Sequence, residues 1–218
     1  MKKTITALSA ILILFVGLSA FTTQDQRAAK ILNDVSKTYK SYKTIKAKFS
    51  LKITTKNSKK PVTQKGTLYL KGKKFRIDMD GQKIFCDGKK MWTYFTDGSN
   101  EVQITKYDPK EQDINPSEIF TIYKKGFLYR YSGETSKNGK TVQKIELTPE
   151  DKSKPFFKVK LSIDKVAHKI MDMTVYSKNG TNTNYEITSF APNVPISDKF
   201  FKFDEKDYPG VIVIDLTK

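Results

Sequence analysis

The sequence predicts a mainly β protein: a long antiparallel meander, curled into a barrel or part of one, behind an N-terminal helix. Three observations carry this reading. Residues 45–54 alternate apolar and polar without a break, the period of a half-buried strand. Short apolar runs recur through most of the remaining chain, with Asp-Gly or Asn-Gly pairs at 80–81, 87–88, 97–98, 138–139 and 179–180. Such pairs favour the tight turns of hairpins. Ahead of the first strand the apolar spacing is four and three, which is helical.

That first element carries Ala28, Leu32, Val35, Tyr39 and Tyr42 on one face, with Lys30, Asn33, Asp34 and Lys37 on the other. The period then changes to two. Ile45, Ala47, Phe49, Leu51 and Ile53 point one way, and Lys46, Lys48, Ser50, Lys52 and Thr54 the other, as in a strand with one buried and one wet face. Further strands are expected at 67–71, 74–79, 83–86, 91–95 and 102–106, then at 127–133, 142–147, 156–163, 171–176, 183–190 and 211–215. In the run at 156–163, Phe157, Val159, Leu161 and Ile163 are expected on one side. The strand at 91–95 holds the chain's single tryptophan, Trp92, on the same face as Tyr94. Trp92 either packs under the N-terminal helix or lines a cavity.

The meander is interrupted once. Asn115, Pro116 and Glu118 form a helix start: a capping residue, a proline at the first helical position, and a capping-box acid. The helix that follows carries Ile119, Phe120, Ile122 and Tyr123, with Phe127 soon after. These cover too much of its circumference for one buried face. It either plugs the core of the barrel or acts as a lid over an apolar cavity. Alternation supplies walls for such a cavity: Phe49 and Leu51 on one strand, and Phe75, Ile77 and Met79 on another.

Compartment and charge narrow the function. Lys2 and Lys3 precede an uncharged apolar stretch from Ile5 to Leu18, with Ser19 and Ala20 after it. This is the pattern of an export signal cleaved near Ala20, and the run is short for a membrane span of about 20 residues. Residues 1–20 are therefore expected to be removed, leaving a single domain over 21–218. The formal net charge is +17 over 218 residues. In an exported chain whose lysines alternate with apolar residues, that charge reads as a solvated face rather than a nucleic-acid site. Cys86 is the only cysteine, so no intrachain disulfide forms and packing must stabilise the domain.

Catalytic groupings are hard to assemble. His168 is the only histidine, and it falls in a polar segment between strands. No Gly-x-Ser-x-Gly elbow or phosphate-binding glycine loop occurs, and metal sites built from several histidines or cysteines are excluded by count. Carboxylate pairs such as Asp78 with Asp80, and Asp204 with Glu205, read as solvated. The chain is expected to be a binding protein without cofactor or metal, not an enzyme.

Several runs resemble the periplasmic outer-membrane lipoprotein carrier proteins, the LolA family. The helix with Ala28, Ala29, Ile31 and Leu32 leads into Lys46-Ala47-Lys48-Phe49. Gly66-Thr67-Leu68-Tyr69-Leu70 and Lys74-Phe75-Arg76 are similar to the family's Gly-x-Leu-x-Leu and Phe-Arg strands. The run from Asp87 through Trp92 to Tyr94 resembles its Asp-Gly-x-x-Leu-Trp-x-Tyr hairpin. Asn115-Pro116, then 198–203 and Pro209-Gly210-Val211, follow in the same order. One departure is clear: where members often carry an arginine that ties the lid closed, this chain reads Lys71-Gly72-Lys73-Lys74.

The resemblance implies a strongly curved, incompletely closed antiparallel β-barrel with an N-terminal helix and a helical lid over an apolar cavity. It implies acyl-chain contacts from Phe49, Leu51, Leu68, Leu70, Phe75, Ile77, Met79, Trp92, Ile119, Phe120, Ile122 and Tyr123. It also implies a periplasmic monomer that accepts lipoproteins from an inner-membrane ABC-type transporter and passes them to an outer-membrane acceptor. The physical need is plain, because burying one ~16-carbon chain is worth on the order of 10 kcal/mol. A lipid-binding envelope-stress sensor of related half-barrel fold is the alternative expectation. An envelope lipid-modifying enzyme ranks third, for want of a catalytic grouping.

Overall fold

The computed structural model describes residues 25–56, 60–109, 120 and 126–217. The export signal and most of the expected lid, including Ile119, Ile122 and Tyr123, lie outside the described residues.

Helix α1 (Gln26–Lys40) forms as its spacing predicts, burying Ala28, Ile31, Leu32, Val35, Ser36 and Tyr39. Asp25 caps it, one carboxylate oxygen accepting from the Ala28 N–H at 3.0 Å and the other from the Tyr131 N–H at 2.8 Å. The cap therefore satisfies a free helix donor and also fastens the helix to a distant strand. Those two backbone donors hold the Asp25 pKa below its ordinary value. Tyr42 lies just past the helix but still packs on the same core.

Twelve strands make one sheet. They are β1 (Ile45–Thr54), β2 (Val62–Lys71), β3 (Lys74–Met79), β4 (Gln82–Cys86), β5 (Lys90–Phe95) and β6 (Glu101–Lys106), followed by β7 (Phe127–Lys137), β8 (Lys140–Pro149), β9 (Phe156–Asp164), β10 (Lys169–Ser177), β11 (Asn182–Pro192) and β12 (Ile212–Asp215). Their order is β12-β6-β5-β4-β3-β2-β1-β11-β10-β9-β8-β7, so the sheet is open and its edges are β12 and β7. Two meanders meet at the long antiparallel seam between β1 and β11. Most hairpins sit at the expected turns. Asn138 and Gly139 both take positive φ, 53° and 72°, as a two-residue turn matched to strand twist requires.

The structure corrects two expectations of an all-antiparallel, strictly alternating meander. First, β12 runs parallel to β6. A parallel neighbour needs a long crossover, and residues 193–211 supply it by passing over the outer face of β2–β5. Second, Phe157 does not join Val159, Leu161 and Ile163. A register shift opposite Tyr176 and Ser177 turns Phe157 outward, 49% exposed, while Phe156 is buried at 2%. An extra residue in one strand reverses the facing of what precedes it.

The inner face carries the main core, where α1 packs on Ile45, Ala47, Leu68, Leu70, Phe75, Cys86 and the buried side chains of β8–β10. Cys86 is inert packing: burial pushes its thiol pKa up to about 11. The outer face has a smaller core that the sequence pattern does not announce. Lys46, Tyr69, Arg76, Phe85, Trp92 and Ile104 stand in register across β1–β6. The crossover lays Phe200, Phe201, Phe203 and Tyr208 over this half of the sheet. The Arg76 guanidinium sits between the rings of Phe85 and Phe200, at 4.6 and 4.4 Å, and Phe203 packs on Phe85, Tyr94 and Tyr208. Phe85, Val102 and Phe201 are at most 2% exposed as a result.

Two lysines of the Lys71-Gly72-Lys73-Lys74 stretch serve this crossover. Lys71 and Lys74 both reach Asp198, at 2.9 and 2.8 Å, and Lys71 also donates to the Ile196 carbonyl at 3.0 Å. Hydrogen bonds from Lys74 and Lys71 lower the Asp198 pKa to about 2. Among the described residues no helix is long and apolar enough to cross a membrane.

Candidate functional site

The inner face holds an apolar pocket of about 290 Å³ where the two meanders join. β1 contributes Ala47, Phe49 and Leu51, β2 Leu68, β3 Ile77 and Met79, β4 Gln82, β10 Ile170 and Met173, and β11 Tyr185 and Ile187, with Phe120 above. Register explains the set. Ala47, Leu68 and Ile77 are cross-strand neighbours, as are Phe49, Gly66 and Met79. On the other side of the seam Phe49 faces Ile187 and Leu51 faces Tyr185.

Two local devices shape this floor. A bulge falls in the β1–β11 ladder at Lys48 and Phe49, where the partner changes from Ser189 to Ile187. Bulges bend a strand and raise its twist, and here the bend lies at the seam. Beside it, Gly66 leaves the space that the Phe49 ring fills: a Cβ on residue 66 would stand 2.5 Å from Phe49 Cζ and 3.0 Å from the Asp78 carbonyl oxygen.

The lining is short of polar groups. Gln82 donates to Met79 Sδ at 3.8 Å, and burial raises the pKa of the Tyr185 phenol, keeping it neutral. Met79 and Met173 add unbranched, polarizable walls that re-pack easily around a guest. Among the described residues nothing in the lining resembles a nucleophile with its base, and the surface suits hydrocarbon.

Above the floor, Phe120 stacks on Tyr39 with ring centroids 4.0 Å apart and 4° between planes. Phe190 meets Tyr39 edge-on at 5.7 Å and Phe120 at 6.4 Å. Tyr39 is held in turn, its hydroxyl accepting from the Ile170 N–H at 3.1 Å. A second pocket of about 300 Å³ lies beyond Phe120, beside the end of α1, lined by Tyr39, Lys40, Tyr42, Lys43, Thr44, Ile45, Leu70, Gly72 and Phe120.

Of the residues named from sequence, Phe49, Leu51, Leu68, Ile77, Met79 and Phe120 converge on the first pocket, and Leu70 lines the second. Phe75 is 1% exposed and packs on Tyr107 in the core alongside. Trp92 stands on the outer face, in register with Phe85 and Ile104, so it neither lines the pocket nor lies under α1. Ala47, Gln82, Ile170, Met173, Tyr185 and Ile187 were not anticipated. Only the β1–β11 pairing brings the last four to Phe49 and Leu51, and no local pattern encodes it.

His168 sits at φ 50° in the turn between β9 and β10, where Asp164 Oδ1 accepts from the Val166 and Ala167 N–H groups. It shares a polar pocket with Arg27, Lys30, Asp34 and Lys165, well separated in the lining from Phe49 and its neighbours. Among the described residues no group of three His, Cys, Asp or Glu is placed to hold a metal.

No curated protein matches this chain in sequence. An uncharacterized conserved protein from Thermus thermophilus shares its fold, with a TM-score of 0.59, 15% identity, and coverage of 87% of this chain and 99% of that one. Two further structures are similar at lower scores. A LolA superfamily protein from Nitrosomonas europaea has a TM-score of 0.45 and 13% identity, over 81% of this chain and 97% of its own. The lipoprotein LppX from Mycobacterium tuberculosis has a TM-score of 0.47 and 11% identity, over 79% and 98%. The family model for the outer membrane lipoprotein carrier protein LolA matches residues 40–204, from the end of α1 through β11 into the crossover, and the chain therefore belongs to the LolA family.

Proposed function

We propose that this protein is a periplasmic carrier that shields the acyl chains of lipoproteins and moves them from the inner to the outer membrane. One observation carries the reading: an apolar, methionine-containing pocket on the inner face of an open sheet, in a chain of this family. On this reading residues 1–20 direct export and 21–218 form a monomeric carrier. An inner-membrane ABC-type transporter loads it and an outer-membrane acceptor unloads it. A volume of about 290 Å³ lies at the small end of the ~300–1,000 Å³ range of ligand pockets. It suits a stretch of one hydrocarbon chain, with the helix expected after Asn115-Pro116 as its lid.

A carrier must also release what it holds. Hydrocarbon against adaptable apolar walls gives affinity without fixed polar contacts, so the complex stays exchangeable. Catalysis has no part in this reading.

Phe120 tests it. The side chain is 5% exposed and borders the pocket, and a carboxylate facing those apolar walls costs at least the ~1–3 kcal/mol of a buried polar group. Phe120→Glu is expected to weaken binding of a triacylated peptide by about tenfold or more while the strand pairing survives. In cells it should leave lipoproteins in the inner membrane although the variant is exported and folded. Intact sorting by a folded Phe120→Glu variant, in cells lacking any paralogue, would overturn the carrier reading.

A further inference from the structure

Phe120 lines two pockets, and the two differ in character. The inner one is walled by hydrocarbon, Phe49, Leu51, Ile77 and Met79 among its residues. The outer one, beside the end of α1, mixes Tyr39, Tyr42 and Thr44 with two lysines, Lys40 and Lys43. Both lysines are exposed, and no carboxylate among the described residues pairs with either. The contrast with their neighbours is sharp. Lys71 and Lys74, on the strands flanking Gly72 of the same pocket, are both committed to Asp198. A third cation borders the aromatic group: Lys169 Nζ lies 4.9 Å from the Phe190 ring and 5.9 Å from the Tyr42 ring. The two volumes, about 290 and 300 Å³, thus share Phe120 in their linings, one apolar and the other bordered by cations.

We propose that the outer pocket seats an anionic group, and that the preferred ligand is an acyl chain ending in a carboxylate or a phosphate. The chain lies in the inner pocket, and its charged end lies between Lys40 and Lys43. This inference rests on the acyl-chain carrier reading and specifies the ligand class of that site. The physics assigns separate tasks to the two compartments. Burial of methylenes supplies affinity whatever the head group. The ammonium groups, partly in solvent, supply discrimination: each exposed pair is worth little, and salt screens it. The lysines should therefore set selectivity and barely affect the binding of a neutral chain.

The test uses the mature chain and three probes titrated by calorimetry: palmitate, a monopalmitoyl phosphatidylglycerol, and the neutral 1-monopalmitoylglycerol. At low salt the wild-type protein should prefer an anionic probe over the neutral one by about tenfold, from two such pairs. Lys40→Gln combined with Lys43→Gln should bring that preference close to unity and leave affinity for the neutral glyceride unchanged. Lys48→Gln combined with Lys52→Gln removes the same charge from the outer side of β1 and should keep the preference. A preference confined to palmitate assigns the site to a free fatty-acid carboxylate, and one confined to the phosphatidylglycerol assigns it to a lipid phosphate. Equal binding of all three probes, or equal loss in both double variants, overturns this inference and leaves the carrier reading standing. Binding of none of the three overturns both.

Discussion

The ring of Phe49 fills the volume that a side chain at residue 66 would need, and this gives the Gly-x-Leu-x-Leu run a physical meaning. A glycine interior to a strand weakens it unless something takes up the space. Here the ring does, and so becomes part of the pocket floor. Gly66→Ala would put a methyl group 2.5 Å from Phe49 Cζ. The ring must then shift, because the Asp78 carbonyl, 3.0 Å from that methyl group, keeps the methyl group from backing away. The expected cost of such overpacking is ~1–3 kcal/mol, read by urea denaturation, with a matching loss of acyl-chain affinity. Unchanged stability and unchanged binding would show that the contact is loose. Alternation in sequence was enough to put Phe49, Leu51, Ile77 and Met79 on one side of their strands. It put Trp92 on the inner face, under the helix or in the cavity, and the structure puts it on the outer one, because a strand with a core on both faces has no unambiguous inside.

Among the elements, the crossover from β11 to β12 has the largest consequence that the sequence did not announce. The order Asp198 to Phe203 was visible as a motif, yet nothing local indicated that it would pack on the outside of β2–β5 and place β12 parallel to β6. Non-local partners decide both. Its charged anchor gives a pH signature. Asp198 titrates near 2 in the folded protein because Lys74 and Lys71 bond its carboxylate, against an ordinary 3.8. The attachment therefore contributes fully above pH 3.8 and is lost as pH falls from 3.8 toward about 2. The hydrogen-exchange protection of residues 196–203, relative to the intrinsic rate at each pH, should fall through that window in the wild-type protein. In Asp198→Asn the same amides should exchange faster at neutral pH and show no inflection there. An inflection that persists in the variant would place the responsible group elsewhere.

For the whole molecule, the hairpin signals sufficed to predict two runs of sequential strands, and both are present. What they could not supply is the seam. More than half the chain separates β1 from β11, with Lys48 paired to Ser189 at one position, and only tertiary packing chooses that pairing. Because the pocket straddles the seam, half of its lining was legible and half was not. Side chains from β1–β4 and from β10–β11 meet there, so a bound chain touches both meanders and should stabilise them jointly. At a ligand concentration of about 100 times Kd the expected gain is ~2.7 kcal/mol, or a rise in Tm of roughly 5–10 °C for a domain of this size. Scanning calorimetry with a saturating triacylated peptide checks this, and a single transition should move as a unit. A tenfold weaker Phe120→Glu should gain only ~1.4 kcal/mol, about half the wild-type rise, at the same peptide concentration. Trp92 emission should stay constant on binding, since the indole is on the opposite face of the sheet from the guest. A rise in Tm with a changed Trp92 spectrum would instead place the ligand on the outer face, against the crossover, and would overturn the inner pocket as the site.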